Sequence, residues 1–455
     1  MSEAPLMLSV SGMRGLVGRS LTPATVAEFA AAWGLEVRRE LGVDRPRIVL
    51  GRDSRPSGHA VEAAAAAGLL AAGCDVVNLG LAATPTVAVM VDHLQAHGGM
   101  VATASHNPIA WNGLKPITHQ ALAPPPDLAR RLVDRFQRRE LDYADPERCG
   151  HAETNDAGAA VHVRRVLERI DADAIAARRP RIVVDSVNGA GGQAARLLCD
   201  QLGADLVHIN DAPTGLFAHT PEPTRENLTG LCDAVAQHRA DLGFAQDPDA
   251  DRLAIVDQRG RYIGEEYSLA LCAQQVFRRQ GPGPAVANLS TSRMIDHVAA
   301  DAGAVVHRCP VGEANVAAMM KRLHAVVGGE GNGGVIWPPV AFVRDSVATM
   351  ALVLELMAQT GSDLAALADA LPAYAIVKDK LPIQPGMADH AVEALADAFH
   401  NARIDRQDGI RVDTDDGWLH LRPSNTEPIL RIIAEAPDED HARALIAAAR
   451  RCIND

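Results

Sequence analysis

Three aspartates and an arginine stand close together in a segment whose residue types suit the binding of a cation. Residues 247–252 read Asp-Pro-Asp-Ala-Asp-Arg, so a carboxylate recurs at every second position and the proline disfavours a helix. Carboxylates this close repel one another unless a cation neutralises them, and a hard divalent ion is the natural partner. Arg252 would suit an anionic ligand beside that ion. The alternative for this segment alone is a solvated acidic turn.

A serine that could serve as a nucleophile lies in residues 103–108, which read Thr-Ala-Ser-His-Asn-Pro after an apolar stretch. Ser105 would then be presented at the carboxyl end of a strand. We do not expect Ser105 and His106 to form a nucleophile–base pair, because neighbouring side chains on a strand point apart. From these six residues alone, a turn built on Asn-Pro is the simpler interpretation. Lys115 is near enough in sequence to return to this loop, or is an ordinary surface lysine.

A glycine-rich segment with one glutamate and one asparagine spans residues 328–334 and reads Gly-Gly-Glu-Gly-Asn-Gly-Gly. Such a loop allows close backbone approach, and the side chains of Glu330 and Asn332 can pair with the hydroxyls of a polyol. It is not a phosphate-binding P-loop, because no Gly-Lys-Ser/Thr follows. A tight structural turn would not need a charged residue at its centre, so the pattern favours ligand binding.

Two further segments have the composition of anion sites. Residues 422–428 read Arg-Pro-Ser-Asn-Thr-Glu-Pro, and Arg431 follows, which together describe a phosphate cradle without a helix N-terminus. The alternative is an Asn-Thr turn with solvated arginines. Near the N-terminus, residues 9–15 place Ser11 and Arg14 among glycines, which is a weaker indication of the same kind.

Composition limits the classes of protein to which the chain could belong. A length of 455 residues predicts about three or four domains, and a hydrophobic content of 47% predicts a folded globular protein. The net charge of −13 argues against binding to nucleic acid or to an anionic membrane surface. The seven cysteines are scattered without a Cys-x-x-Cys pair, which favours a reducing compartment. With no basic, apolar leader at the N-terminus, we expect a cytoplasmic protein.

An internal repeat predicts the architecture. The order strand, helix, glycine, strand occurs at residues 46–79, 180–209 and 284–307. This order is typical of βαβ units, and three copies predict three tandem similar α/β domains with mixed, largely parallel sheets. From residue 374 the pattern changes to that of a smaller α+β domain. The predicted domains are 1–150, 151–257, 258–372 and 373–455. Each motif falls in a different domain, which places the site in a central cleft shared by all four.

Taken in order, the four motifs resemble those of the α-D-phosphohexomutase superfamily, over essentially the whole chain. The segment around Ser105 resembles its phosphoserine loop, and residues 247–252 resemble its magnesium loop. Residues 328–334 resemble its sugar-specificity loop, and residues 422–426 resemble its distal phosphate loop. Each motif alone is weak evidence, and the ordered set carries the resemblance.

The resemblance implies an isomerase of the intramolecular phosphotransferase type. It would interconvert hexose 6-phosphate and hexose 1-phosphate through a phosphoserine enzyme and a hexose 1,6-bisphosphate, which also serves as activator. Ser105 would carry the phosphoryl group, and the residues implied to hold Mg²⁺ are Ser105, Asp247, Asp249 and Asp251. Arg252 would stabilise the same phosphoryl group. The residues implied in proton transfer and electrostatics, with the general base unassigned, are Arg14, His106 and Lys115.

The resemblance also implies which residues bind the substrate. The sugar would be held by Glu330, Gly331 and Asn332. The phosphate that is not reacting would be held by Arg422, Ser424, Asn425, Thr426 and Arg431. The expected partner is a small sugar phosphate, with no nucleic acid and no membrane, and the protein would be a monomer or a homodimer.

The identity of the sugar depends on the glycine-rich loop. Its sequence departs from the Gly-Glu-x-Ser-Gly/Ala-His form of many family enzymes and is similar to that of archaeal-type phosphoglucosamine mutases. We therefore expect a phosphoglucosamine mutase, with phosphomannomutase or phosphoglucomutase as the alternative. Glu313 stands where the family has a histidine, and a carboxylate there could favour an amino sugar. A sugar phosphatase with a phosphoserine intermediate and a non-catalytic sugar-phosphate sensor are the competing classes.

Overall fold

The structure is a computed structural model that describes residues 6–383, 387–423 and 429–454. Within these ranges the strands form four sheets, each with its own helices. The fold class is therefore α/β with mixed sheets, as the repeat predicts, and the last sheet is entirely antiparallel. No helix in the described ranges is long and apolar enough to cross a membrane.

The first sheet has the order β1-β2-β6-β5-β3-β4-β7. Its elements, with the helices that cover it, are β1 Met7–Ser9, β2 Gly12–Leu16, α1 Pro23–Leu41, β3 Arg47–Arg52, α2 Gly58–Ala71, β4 Asp75–Leu81, α3 Thr84–His93, β5 Gly98–Ala102, β6 Trp111–Thr118, α4 Pro126–Arg138, a 3₁₀ turn Pro146–Arg148 and β7 Ala152–Thr154. The central strands β3 and β5 are parallel and almost fully buried, as expected of apolar runs covered by helices on both faces. Strand β7 belongs to this sheet although it follows residue 150.

The second and third sheets each have four strands, in the orders β11-β10-β8-β9 and β13-β12-β14-β15. The second unit contains α5 Gly158–Leu167, α6 Ala172–Arg178, β8 Arg181–Asp185, α7 Gly192–Gln201, β9 Asp205–Ile209, a 3₁₀ turn Arg225–Asn227, α8 Thr229–His238, β10 Leu242–Gln246 and β11 Leu253–Asp257. The third contains α9 Glu266–Gln280, β12 Pro284–Asn288, α10 Met294–Asp301, β13 Val305–Cys309, α11 Glu313–Leu323, β14 Val327–Glu330, β15 Gly334–Ile336, α12 Ser346–Thr360 and α13 Leu364–Asp369.

The fourth sheet has the order β16-β20-β19-β18-β17. Its unit contains β16 Ala375–Pro382, α14 Ala388–Ala398, β17 Arg403–Asp405, β18 Ile410–Asp413, β19 Trp418–Pro423, β20 Ile429–Ala436 and α15 Glu439–Asn454. One large apolar core runs through the first three units, whereas the fourth has a core of its own. The fourth unit meets the third through polar contacts, such as Ser290 Oγ with His420 Nδ1 at 2.8 Å.

Candidate active site

The loop between β5 and β6 presents Ser105 in a left-handed backbone conformation, with φ of 50°. Such a conformation is unfavourable for a residue with a side chain and persists only where the surroundings impose it. The fully buried guanidinium of Arg55 does so by donating to the carbonyl oxygens of Ser105 at 2.6 Å and Asn107 at 2.7 Å. Asp53 accepts from Arg55 Nε at 3.0 Å and so fixes the guanidinium. The loop is thus rigid before any ligand binds.

The left-handed turn also brings the side chains of Ser105 and His106 together, with Ser105 Oγ 3.3 Å from His106 Nδ1. The expectation that they point apart is wrong for this chain, because it assumed an extended strand. Burial, helped by the guanidinium groups of Arg252 and Arg14, lowers the pKa of His106 to about 3. The imidazole is therefore neutral near pH 7. Arg14, on β2, donates to Asn107 Oδ1 at 3.0 Å and so lies beside the same loop.

The aspartate segment forms the connection between β10 and β11 and faces this serine. Asp247, Asp249 and Asp251 are fully buried, and each offers an oxygen atom within 4.8 Å of those of the other two. Ser105 Oγ donates to Asp247 Oδ2 at 3.1 Å. Ala250, at the centre of the segment, is left-handed with φ of 54°, which turns the flanking carboxylates to one side.

The protonation of the three carboxyl groups is set by their neighbours. Burial, with repulsion from Asp251 and Asp249, raises the pKa of Asp247 well above its ordinary value. Burial acts in the same direction on the other two, but the cations outweigh it. Lys115 lowers the pKa of Asp249, and Arg344 with Lys115 lowers the pKa of Asp251 well below its usual range. Two carboxylates therefore stay ionised in a buried site.

The residues present fit a hard divalent cation. Asp249 Oδ1 and Asp251 Oδ1 are buried and accept no hydrogen bond within the described part of the chain. An ionised oxygen left in that state is costly unless a cation takes it up. Three carboxylates and a serine oxygen form an all-oxygen set of donors, which Mg²⁺ prefers over softer ligands.

Two cations hold the outer oxygens of the triad. Lys115, on β6, lies 2.9 Å from Asp249 Oδ2 and 2.8 Å from Asp251 Oδ2. Burial alone would lower the pKa of Lys115, but these two carboxylates raise it above its ordinary value, so the amine stays charged. Arg344 donates to Asp251 Oδ2 at 2.6 Å and to Glu330 Oε2 at 2.7 Å. It thereby connects the aspartate segment to the glycine-rich segment.

Arg252 completes this end of the site. Its Nε lies 3.8 Å from Asp251 Oδ1 and 4.0 Å from Asp247 Oδ2, beyond hydrogen-bond distance, and it has no hydrogen-bond partner within the described ranges. Arg252 and His106 both line a cavity of about 550 Å³. A guanidinium so placed is available to an anionic ligand in that cavity.

Only the middle of the glycine-rich segment, residues 328–334, forms a loop. Glu330 ends β14 and Gly334 begins β15, which pair as an antiparallel hairpin, so the loop itself is residues 331–333. Glu330, Gly331 and Asn332 all line the large cavity. Both carboxylate oxygens of Glu330 already accept hydrogen bonds from the protein, and the donors are Asn288 Nδ2, Gly312 N and Arg344 Nη1. Its carboxylate is therefore fixed in orientation.

Glu313 does not lie where a contact with the sugar would need it. Its Oε1 accepts from Arg344 N at 2.9 Å. It lines a separate cavity of about 20 Å³, together with Lys115 and Ser11. The structure therefore gives no support to the expectation that this carboxylate favours an amino sugar by direct contact. Ser11, in the turn between β1 and β2, lies in the same small cavity.

Basic side chains from the fourth sheet form a row in the large cavity. Lys380 on β16 is opposite Arg431 on β20, and Arg431 is opposite Arg422 on β19, so the three lie side by side across the strands. All three line the cavity, and Lys378 joins them two residues before Lys380. Like charges opposite one another destabilise a sheet, which favours an anionic ligand at this position. We call Lys380, Arg422 and Arg431 the basic row.

Some predicted residues lie outside the described ones, and some important residues had not been predicted. Ser424, Asn425 and Thr426 belong to the first group. The second group comprises Asp53, Arg55, Arg344, Glu266, Lys378 and Lys380. Asp53 and Arg55 follow β3 directly, and charged residues at the carboxyl end of a buried strand were the available signal. Arg344 follows an apolar run and precedes Asp345, so the sequence shows an ordinary pair of charged residues, and only the buried carboxylates around Arg344 in the structure reveal its position.

Comparisons with known proteins agree with this geometry. The family models described as Phosphoglucomutase/phosphomannomutase, alpha/beta/alpha domains I, II and III, and C-terminal domain match residues 7–142, 160–260, 265–374 and 375–451, respectively. A protein of Thermococcus kodakarensis named Phosphoglucomutase/phosphomannomutase is 37% identical over 95% of this chain and 95% of its own length. A protein of Methanopyrus kandleri named Probable phosphoglucosamine mutase is 34% identical over 98% of both chains.

A solved structure is similar throughout. The Phosphoglucomutase/phosphomannomutase family protein of Burkholderia thailandensis has a TM-score of 0.86 and 28% identity, covering 98% of each chain. Because all four family models match in order and the relatives match from end to end, the chain belongs to the phosphoglucomutase/phosphomannomutase family, whose members are isomerases that transfer phosphoryl groups within sugar phosphates.

Proposed function

We propose that this protein interconverts glucosamine 6-phosphate and glucosamine 1-phosphate, with phosphomannomutase or phosphoglucomutase activity as the alternative. One observation carries the proposal of phosphoryl transfer. The Ser105 hydroxyl lies at hydrogen-bond distance from a buried aspartate triad, beside a cavity that also contains the basic row. A reacting group beside the cavity and a separate anion site within it suit a substrate that carries a phosphate at either end.

In the proposed reaction the phosphoryl group resides on Ser105 Oγ in the resting enzyme. The 1-hydroxyl of the sugar 6-phosphate attacks the phosphorus, the bond to Ser105 Oγ breaks, and the proton of the sugar hydroxyl passes, in the net balance, to Ser105 Oγ. The resulting 1,6-bisphosphate turns round, and its 6-phosphoryl group passes to Ser105 Oγ, which releases the 1-phosphate. The bonds made in the second half restore the starting enzyme.

Side chains around Ser105 have distinct roles in this scheme. Arg252 stabilises the charge of the transferred phosphoryl group, because its guanidinium faces the cavity beside the serine. When Ser105 is phosphorylated again its hydroxyl must lose a proton, and the neutral imidazole of His106, whose Nδ1 lies 3.3 Å from Ser105 Oγ, is an acceptor within reach. Lys115 stays protonated and acts through its charge, as does Arg14.

Mg²⁺ would be held by Asp247, Asp249, Asp251 and an oxygen on Ser105. When bound, it supplies charge neutralisation at the phosphoryl group in transfer. The protein fixes the triad for this purpose, since Lys115 and Arg344 hold the outer oxygens of Asp249 and Asp251 and leave the inner ones without partners.

The basic row would hold the phosphate that does not react. Three cations on neighbouring strands can bind a dianion at several positions, which suits a bisphosphate that must present each end in turn. Glu330 and Asn332, with the backbone of Gly331, would contact the sugar hydroxyls between the two sites. The name of the Methanopyrus kandleri relative supports the amino sugar, and that of the Thermococcus kodakarensis relative supports the alternative.

The test is a panel of hexose 6-phosphates, those of glucosamine, glucose, mannose and N-acetylglucosamine, assayed for isomerisation with Mg²⁺ and a catalytic amount of hexose 1,6-bisphosphate. We expect the highest kcat/KM for glucosamine 6-phosphate. A clear preference for mannose or glucose would overturn the choice of sugar and leave the mutase reaction intact. Release of inorganic phosphate without isomerisation of any sugar would contradict the mutase itself.

A further inference from the structure

Besides Glu330, the large cavity is lined by the acidic residues Glu222, Glu266 and Asp379, and one of them lies against the glycine-rich loop without a role in phosphoryl transfer. This residue is Glu266, the first residue of α9. Ser292 N donates to its Oε2 at 3.0 Å, which fixes the orientation of the carboxyl group. Within the described part of the chain this is its one hydrogen-bond donor, so Oε1 is available to a ligand in the cavity.

The position of Glu266 depends on the absence of a side chain at Gly331. A Cβ atom built on Gly331 would lie 1.9 Å from Glu266 Oε1, far inside contact distance. The Glu266 carboxyl group therefore occupies the space next to the backbone of the glycine-rich loop. It lies against the residues expected to contact the sugar.

Charged neighbours of Glu266 come from several elements. Burial raises the pKa of Glu266 to about 8; Glu435 on β20 and Glu265 act in the same direction, while the Ser292 N–H and Lys378 on β16 oppose them. The group is thus mainly a neutral acid near pH 7. A cation placed against Oε1 would favour its ionised form, since opposite charges at short range lower the pKa of a carboxyl group.

We propose that Glu266 is a specificity-determining residue, which contacts a ring substituent of the bound hexose phosphate through Oε1 and favours an amino group over a hydroxyl group. An ammonium group offers a charge and three donors to a carboxylate, whereas a hydroxyl offers one donor and no charge. Glu330 is less suited to this choice, because Arg344 already neutralises it. The inference rests on the proposed sugar phosphate mutase activity.

The test compares Glu266→Gln with Glu62→Gln. Glu62, on α2, is another glutamate whose pKa burial raises, but it is bonded to Arg52 and lies outside the cavity. For each protein we would measure kcat/KM with glucosamine 6-phosphate and with glucose 6-phosphate. We expect the ratio of the two to fall about 10-fold or more in Glu266→Gln, as the loss of a charged hydrogen bond implies, and to stay unchanged in Glu62→Gln.

A second pair of variants distinguishes contact from general damage. Gly331→Ala should lower the same ratio, because its Cβ displaces the Glu266 carboxyl group. In a Glu266→Ala background the alanine at 331 meets no carboxyl group, so adding Gly331→Ala should cause no further loss. Additive losses in the double variant would contradict a shared contact.

The outcomes separate this inference from the proposed function. Suppose that the wild-type protein isomerises hexose phosphates and that Glu266→Gln changes the kcat/KM ratio of the two substrates by less than about 3-fold. This change is well below the effect of a lost charged hydrogen bond, so the inference would be wrong and the proposed function would stand. If no hexose phosphate is isomerised, the proposed function fails. The ratio of equilibrium dissociation constants for the two sugar phosphates, by calorimetry on both proteins, then decides whether Glu266 discriminates between them.

Discussion

The two ends of the cavity are built in opposite ways. At the Ser105 end, the aspartate triad and its cations are buried, each has fixed partners, and the supporting units share one apolar core. At the other end, the basic row lies on a sheet with a separate core, and like charges are neighbours across the strands. The groups at the Ser105 end are thus held in place by the protein itself. At the distal site Arg422 pairs with Asp408 at 3.0 Å, and the adjacent charges of Lys380 and Arg431 favour an anionic ligand.

The joint between the third and fourth units extends this contrast. It is made of hydrogen bonds and ion pairs, including Arg411 Nη1 to Leu289 O at 2.6 Å and Lys378 Nζ to Glu265 Oε2 at 3.1 Å. Polar joints without a shared core allow one domain to move relative to another. In the proposed reaction, the end with the shared apolar core carries out the chemical step, and the end with the separate core binds the phosphate that does not react.

Replacement of Arg344 should have the largest effect on the Ser105 end. Arg344→Met leaves Asp251 and Glu330 without their shared cation, and breaking a buried ion pair costs on the order of 3–5 kcal/mol. We expect kcat to fall about 100-fold or more, as misplacement of catalytic groups implies, with a lower Tm. Arg406→Met, which removes an exposed ion pair to Glu393, is the control and should change neither. Full activity in Arg344→Met would show that the link from the aspartate segment to the glycine-rich segment through Arg344 is not needed for catalysis.

Binding of Mg²⁺ should stabilise the Ser105 end measurably in the absence of substrate. The ion would neutralise the triad, so millimolar Mg²⁺ should raise the Tm of the wild-type protein by a few degrees. In Asp251→Asn the increase should be much smaller, because one charged ligand is lost. Differential scanning calorimetry with and without chelator provides the measurement. An equal increase in Tm in both proteins would show that Mg²⁺ binds away from the aspartate triad.

Removal of a cation from the basic row should have a smaller effect, on binding rather than chemistry. For Arg431→Ala we expect KM to rise about 10-fold with kcat nearly unchanged, as the loss of one charged contact to phosphate implies. Because Arg431 lies between Lys380 and Arg422, its removal relieves repulsion and should leave Tm equal or higher. A fall in Tm like that of Arg344→Met would show that the two ends are not built differently.

The stability of the joint between the third and fourth units should decrease as the pH falls. Burial lowers the pKa of His420 to about 4, so on acidification the unfolded chain takes up this proton before the folded protein does. Stability is therefore lost as the pH falls from about 6.5 towards 4, by about 3 kcal/mol for this group. His420→Gln should flatten this part of the Tm profile against pH. Identical slopes in the two proteins would exclude His420 as the source.

The sequence predicted the parts of this molecule that are local in the chain. Repeated strand–helix–strand patterns indicated the α/β units, and the spacing of Asp247, Asp249 and Asp251 indicated a cation site, because both depend on short-range periodicity. It did not predict that Ser105 and His106 face each other, since the left-handed turn is imposed by Arg55, whose position in sequence is fifty residues earlier. Arg344 and Glu266 were overlooked for the same reason, because a charged residue outside a recognisable motif does not reveal partners that are distant in sequence.

The central claim is that Ser105 carries the transferred phosphoryl group, and intact-mass spectrometry tests it most directly. The wild-type protein would be incubated with Mg²⁺ and glucose 1,6-bisphosphate, with Ser105→Ala as the variant and Ser54→Ala, a nearby buried serine, as the control. We predict that the wild-type and Ser54→Ala proteins become heavier by one phosphoryl group, on Ser105, and that Ser105→Ala does not. A protein that is never found one phosphoryl group heavier, or a phosphoryl group that persists in Ser105→Ala, would contradict the account.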